Sequence, residues 1–252
     1  MMHSLRIVLA LVLFMPFAAQ AAGDAPHPPH QHWHFSGPLG TYDRAALQRG
    51  LHVYRQVCSA CHSMKHLYYR DLEGVGYDEG QIKAIAGEYS VMDGPDEEGE
   101  MFERPARPSD KFKAPYANEN QAKAGNGGAL PPDLSLIAKA RHGGADYIYG
   151  ILTGYDTPPS DVTLMQGQHY NKYMPGHVIA MAKPLQDDQI AYEDGSPQTV
   201  DQYARDVAEF LTWAADPYME DRKRTGIKVI LFLIAFAGIM YAIKRKTWAK
   251  VH

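Results

Sequence analysis

Apolar and polar positions divide this chain into two continuous apolar runs and a middle that is periodic only in places. The first run covers residues 7–17, with His3 and Arg6 before it and the small-x-small pattern Ala19-Gln20-Ala21 after it. A basic start, a brief apolar core and that pattern make residues 1–21 a secretory signal peptide; the run is too short for a comfortable membrane anchor. The second run, 229–243, is uninterrupted, reaches Ile227 if Lys228 snorkels, and is followed at once by Lys244-Arg245-Lys246. It predicts one transmembrane helix over 222–246, with the basic cluster and a tail, 247–252, on the cytoplasmic side.

Between the runs the pattern is helical wherever it is regular. Ala46, Leu47, Leu51, Tyr54 and Val57 recur at helical spacing and predict a helix over 42–57. A short helix ends at Ala140 before Gly143-Gly144, and another runs from about 145 to 153, before Gly154. The best-marked element opens on a capping box of Thr199 and Gln202, carries the stripe Tyr203, Val207, Phe210, Leu211 and Ala214, and stops at Asp216-Pro217. Residues 71–115 show little periodicity, the loops are rich in Pro and Gly, and few strands are indicated. The fold class is therefore mainly α, with long irregular loops and one C-terminal membrane helix. The 252 residues and net charge of −4 leave room for one exported domain, 22–221, and give no basic surface for nucleic acid.

Export sharpens the reading of the two cysteines, because an oxidising compartment pairs free thiols unless something consumes them. They occur as Cys58-Ser59-Ala60-Cys61-His62 at the end of the first predicted helix. Two thiols at this spacing can add across the vinyl groups of one porphyrin, and the adjacent His62 then supplies the proximal ligand of a c-type haem. A thioredoxin-like redox pair would follow a buried strand, which this sequence lacks before Cys58. Zinc would need four ligands and would have to recruit His62 and His66 at poor spacing.

Other features carry weaker chemistry. His27, His30, His32 and His34 stand among prolines in what reads as an extended surface arm, with metal binding as the alternative. Residues 93–103 are densely acidic, either a solvated loop or a surface that steers a cationic partner. Arg141, at a helix end, is placed either to meet a haem propionate or simply to complement the helix dipole. Tyr147 and Leu152 read as pocket wall or as ordinary core. A second axial ligand would close the iron to exogenous chemistry; Met174 and Met181 both lie in a Pro/Gly-rich loop, and spacing does not choose between them or exclude His169 and His177.

Several separated stretches, in order, resemble the cytochrome c1 family, the membrane-anchored haem subunits of ubiquinol–cytochrome c reductase, in its bacterial form. They are Val57-Cys58-Ser59-Ala60-Cys61-His62-Ser63-Met64, Asn126-Gly127-Gly128-Ala129-Leu130-Pro131-Pro132-Asp133-Leu134-Ser135, Ala140-Arg141-His142-Gly143-Gly144, Leu152-Thr153-Gly154-Tyr155, the loop from Pro175-Gly176 to Met181, and the tail from Phe210-Leu211-Thr212-Trp213 into the span. The resemblance implies one covalent haem c on Cys58 and Cys61, a cofactor pocket that includes Asn126, Pro131, Pro132, Arg141, Tyr147 and Leu152, and an iron held by His62 and Met181. It demotes Met174 to a position often aromatic in the family. It also implies electron transfer from a Rieske iron-sulfur protein to a cytochrome c, with cytochrome b and the lipid membrane as partners in a dimeric complex, and no bond chemistry by this chain alone. The location implied is the inner membrane, single-pass, with the haem domain periplasmic. Lys183 stands where the family commonly has proline, and the extra disulfide of some bacterial relatives has no cysteines here. The competing class is a haem enzyme or gas sensor with an open sixth position; a zinc or redox-thiol module on a membrane stalk comes third.

Overall fold

The computed structural model describes residues 27–160 and 162–249. The expected leader, 1–21, and the last three residues of the tail lie outside them. Seven α-helices carry the described fold: α1 (Arg44–Gln56), α2 (Glu79–Gly87), α3 (Glu119–Gly125), α4 (Ile137–Ala140), α5 (Ala145–Thr153), α6 (Val200–Ala215) and α7 (Met219–Trp248). Two antiparallel ribbons join them, β1 (Ser90–Asp93) with β2 (Phe102–Pro105), and β3 (His169–Tyr170) with β4 (Val178–Ile179).

The core forms where α1 crosses α6. α1 starts at Asp43, whose carboxylate caps Ala45 N–H, and buries Leu47, Leu51 and Tyr54 against Tyr203, Phe210 and Trp213 of α6. Gly50 permits the crossing, since a Cβ there would stand 2.1 Å from the Asp206 carbonyl oxygen. Beside it Arg49 forks onto buried Asp206 with bonds of 2.9 and 3.0 Å and reaches Asp194 at 2.8 Å. A second layer stacks Tyr69 on Phe112 at 4.6 Å, with Tyr54 beside Phe112.

The segment that showed little periodicity is more ordered than its pattern. It holds a 3₁₀ turn over Tyr69–Val75, α2 with a complete Asp78/Gln81 capping box, and the β1–β2 ribbon, pinned by Arg104 to Asp93 and to Asp110. The acidic stretch is the exposed tip of that ribbon, folded on Asp96, whose carboxylate accepts from Glu98 and Glu100 N–H. At α6 only half of the predicted capping box forms: Thr199 accepts from Gln202 N–H, but the Gln202 side chain donates to Asp206 instead.

α7 is one continuous helix containing a window of mean hydropathy 2.3, all of it uncovered by the rest of the protein, so it is long and apolar enough to cross a membrane. Its first turns are tied to the head: Glu220 accepts from Tyr42 N–H and pairs with Arg44, and Lys223 donates to the Phe35 and Gly40 carbonyls.

Candidate functional site

α1 breaks at Val57 into a tight turn over Cys58–Ala60, in which the Cys58 carbonyl accepts from both Cys61 N–H (3.1 Å) and His62 N–H (2.9 Å). Both thiols are free and half-buried on that one turn. Burial, reinforced by Cys61, pushes the Cys58 thiol up to about 12. A redox pair works through a lowered thiol pKa, so this environment does not suit that alternative. Nor do three His, Cys, Asp or Glu side chains converge as a metal cluster among the described residues, as zinc would require.

His62 is oriented from a distance. Its Nδ1 lies 2.8 Å from the Pro132 carbonyl, which only accepts, so the proton sits on Nδ1 and the Nε2 lone pair is left for a metal. Burial lowers the pKa of His62, against the opposing pull of Pro132 and Asp133, and keeps the imidazole in its neutral, ligating form. The His62 carbonyl accepts from buried Tyr54 OH at 3.0 Å. Just beyond, Asp133 accepts from Ser63 Oγ, Lys65 N–H and Ser135 N–H. Burial raises its carboxyl, yet those bonds outweigh it and leave the group below its ordinary value.

A second station lies in the 169–185 loop. Met181, half-buried against the core, is fixed through its backbone, its carbonyl accepting from Tyr155 OH at 2.9 Å. Met174 is engaged through its sulfur, 3.9 Å from Tyr147 OH. Fully buried Asn171 braces the loop, donating to the Ile151 carbonyl and accepting from Tyr173 N–H. His177, in the left-handed region at φ 59°, stacks on Tyr170 with Nδ1 buried and unpartnered among the described residues. His169 is half-buried in β3.

The remaining predicted residues do different things. Asn126 ends α3, its amide donating to the Ala122 carbonyl and Tyr116 OH. Pro131 is half-buried beside Pro132. Arg141 is exposed and donates to its neighbour's carbonyl, Ala140 O. Leu152 is buried in the core, and five positions from Tyr147 on α5 it faces a different side. Sequence reasoning passed over Tyr54, Asp133, Tyr155 and Asn171; of these only Asp133 left a local trace, the Asp-x-Ser pattern of an Asx turn.

Donor chemistry is the test of what the site accepts. Two free thiols on one turn, a neutral imidazole with Nδ1 already occupied, and a loop carrying thioethers fit a covalently attached haem. The chain matches the Cytochrome C1 family over residues 33–251. It belongs to that family. It is 46% identical over 273 residues to cytochrome b/c1 of Bradyrhizobium diazoefficiens, an alignment covering 99% of this chain but 40% of that longer protein. To cytochrome c1 of Rhodospirillum rubrum it is 43% identical, covering 97% of this chain and 96% of that one. The mitochondrial cytochrome c1 1, heme protein, of Arabidopsis thaliana is 51% identical over 86% of this chain and 71% of its own. Membership brings the cofactor with it: this cytochrome C1 chain carries one covalent c-type haem and is anchored by its apolar C-terminal helix.

Proposed function

We propose that this chain is the haem c subunit of a ubiquinol–cytochrome c reductase, relaying single electrons from a Rieske iron-sulfur protein to a cytochrome c. The observation that carries the reading is the Cys58–His62 turn with His62 Nδ1 bound to the Pro132 carbonyl at 2.8 Å. When bound, the haem supplies an iron that alternates between ferric and ferrous. Cys58 and Cys61 would hold it covalently, His62 would ligate one face, and Met181 the other. The chain's own work is rigidity. Tyr54 and Asp133 fix the His62 side, Tyr155 and Asn171 fix the Met181 loop, and the α1–α6 core holds both. Pro131, Tyr147 and Leu152 would contribute pocket wall, Asn126 the fold of the adjoining loop, and exposed Arg141 a cation for a propionate.

The name of a Candida albicans relative, 46% identical, places that protein in a cytochrome b-c1 complex, which supports cytochrome b as the partner of the membrane helix; that the assembly is dimeric is implied by the family resemblance alone. Residues 1–21 are read as a removed leader, 22–221 as the periplasmic haem domain, 222–246 as a single inner-membrane span and 247–252 as the cytoplasmic tail, with the basic 244–246 cluster supporting that orientation. The continuous helix Met219–Trp248 runs a little past the proposed span at both ends, and Glu220, just before the span, is tied to the head. Purification of the membrane complex tests the proposal: cytochrome b and a Rieske protein should accompany this chain, and ubiquinol should reduce its haem only with the Rieske protein present. A chain that purifies alone and is reduced without either would refute it.

A further inference from the structure

The Asp133 carboxylate is where two stretches of chain, 70 residues apart, are sewn together. Its Oδ2 accepts from Ser63 Oγ and Lys65 N–H, both at 2.8 Å, and its Oδ1 from Ser135 N–H at 3.0 Å. Two more bonds close the seam, Leu134 N–H to the Ser63 carbonyl and His66 N–H to Ser135 Oγ. Ser63 and Lys65 follow His62 by one and three positions, while the Pro132 carbonyl belongs to the rigid peptide unit shared with Asp133. Fixing Asp133 therefore fixes the plane of the carbonyl that meets His62 Nδ1.

We propose that Asp133 is a positioning residue for the proximal ligand: by bridging Ser63, Lys65 and Ser135 it keeps the Pro132 carbonyl on His62 Nδ1 and so lowers the redox potential of the centre. This rests on the haem reading above. A carbonyl that accepts from Nδ1–H makes the imidazole a stronger donor through Nε2, which favours the ferric state. The fixed negative charge beside the ligand acts in the same direction.

Asp133→Asn isolates the effect while nearly preserving shape. Whichever way the amide turns, its NH₂ faces a backbone N–H, of Lys65 or of Ser135, so at least one bond is lost together with the charge. Asp78→Asn is the control, the same charge change at the exposed cap of α2. The experiment is an equilibrium redox titration of the full-length, detergent-solubilised holoprotein, with a pyridine haemochrome spectrum on each sample and NMR exchange of the His62 Nδ1 proton in the ferric state. Asp133→Asn should favour the ferrous state about tenfold at fixed ambient potential, about 59 mV for one electron, and speed Nδ1 proton exchange. Ser63→Ala should shift the potential the same way by less, and Asp78→Asn should leave it in place. If Asp133→Asn yields too little holoprotein, Ser63→Ala carries the test. A c-type haemochrome with unmoved potential and exchange in the variants, or an equal shift in Asp78→Asn, overturns the role of Asp133 alone. Wild-type protein without a c-type haemochrome overturns the haem reading as well.

Discussion

Replacing Gly50 by alanine should destabilise the protein although alanine is the better helix former. In an open helical site the exchange would gain about 1 kcal/mol from propensity. At Gly50 the new Cβ would lie 2.1 Å from the Asp206 carbonyl oxygen and 2.6 Å from Phe210 Cβ. Neither is the tip of a flexible side chain, so α1 and α6 must separate. Overpacking of that kind costs about 3 kcal/mol, which leaves a net loss of about 2 kcal/mol. For a chain of this size that is a fall in Tm of about 4–8 °C. Gly87, at the end of α2, is the contrast: nothing lies within 4 Å of its added Cβ, so Gly87→Ala should be neutral or stabilise by up to about 1 kcal/mol. Thermal melts of the full-length protein, followed by near-ultraviolet circular dichroism, read both. A Gly50→Ala protein at least as stable as wild type would refute the close crossing on which the placement of Cys58 depends.

Other expectations follow from the same geometry. Met181→Leu should lower the midpoint potential or open the iron to exogenous ligands, whereas Met174→Leu, which removes only a sulfur facing Tyr147, should do neither; redox titration distinguishes them. Bonds from Arg104 hold the Asp93 and Asp110 carboxyls below their ordinary 3.8, so the stability they contribute is present above pH 3.8 and lost as pH falls through their lower folded values. Hydrogen exchange in the β1–β2 ribbon should therefore quicken below pH 3.8 in wild type and already be quick at neutral pH in Arg104→Ala. Lys223→Ala leaves the Phe35 and Gly40 carbonyls without their donor and should cost about 1 kcal/mol, read as faster exchange at Gly40 and Thr41.

The sequence spoke most clearly where one pattern decides one element. α1, α5 and α6 follow their apolar stripes, and the haem motif sits at the end of α1 because the stripe stops at Val57. It spoke poorly where short elements depend on distant partners. The β1–β2 strands have four residues each and a register held by Arg104, and α2 shows little beyond Ile82, Ile85 and Ala86, although its Asp78/Gln81 box was readable. At α6 the Gln202 side chain abandoned its predicted cap because buried Asp206 offered a stronger acceptor one turn on. Cys58, Cys61 and His62 are adjacent and therefore legible. The groups that orient them are not, since Pro132 and Asp133 act through a carbonyl and a carboxylate on a loop some 70 residues away.

In the proposed function the iron is closed on both faces and passes electrons without binding a substrate. Carbon monoxide binding to the reduced, full-length wild-type protein tests it most directly. Rapid mixing should give no fast change in the haem spectrum, because in the proposed arrangement Met181 fills the sixth position. Prompt formation of a carbon monoxide adduct would contradict the account and favour a haem enzyme or gas sensor.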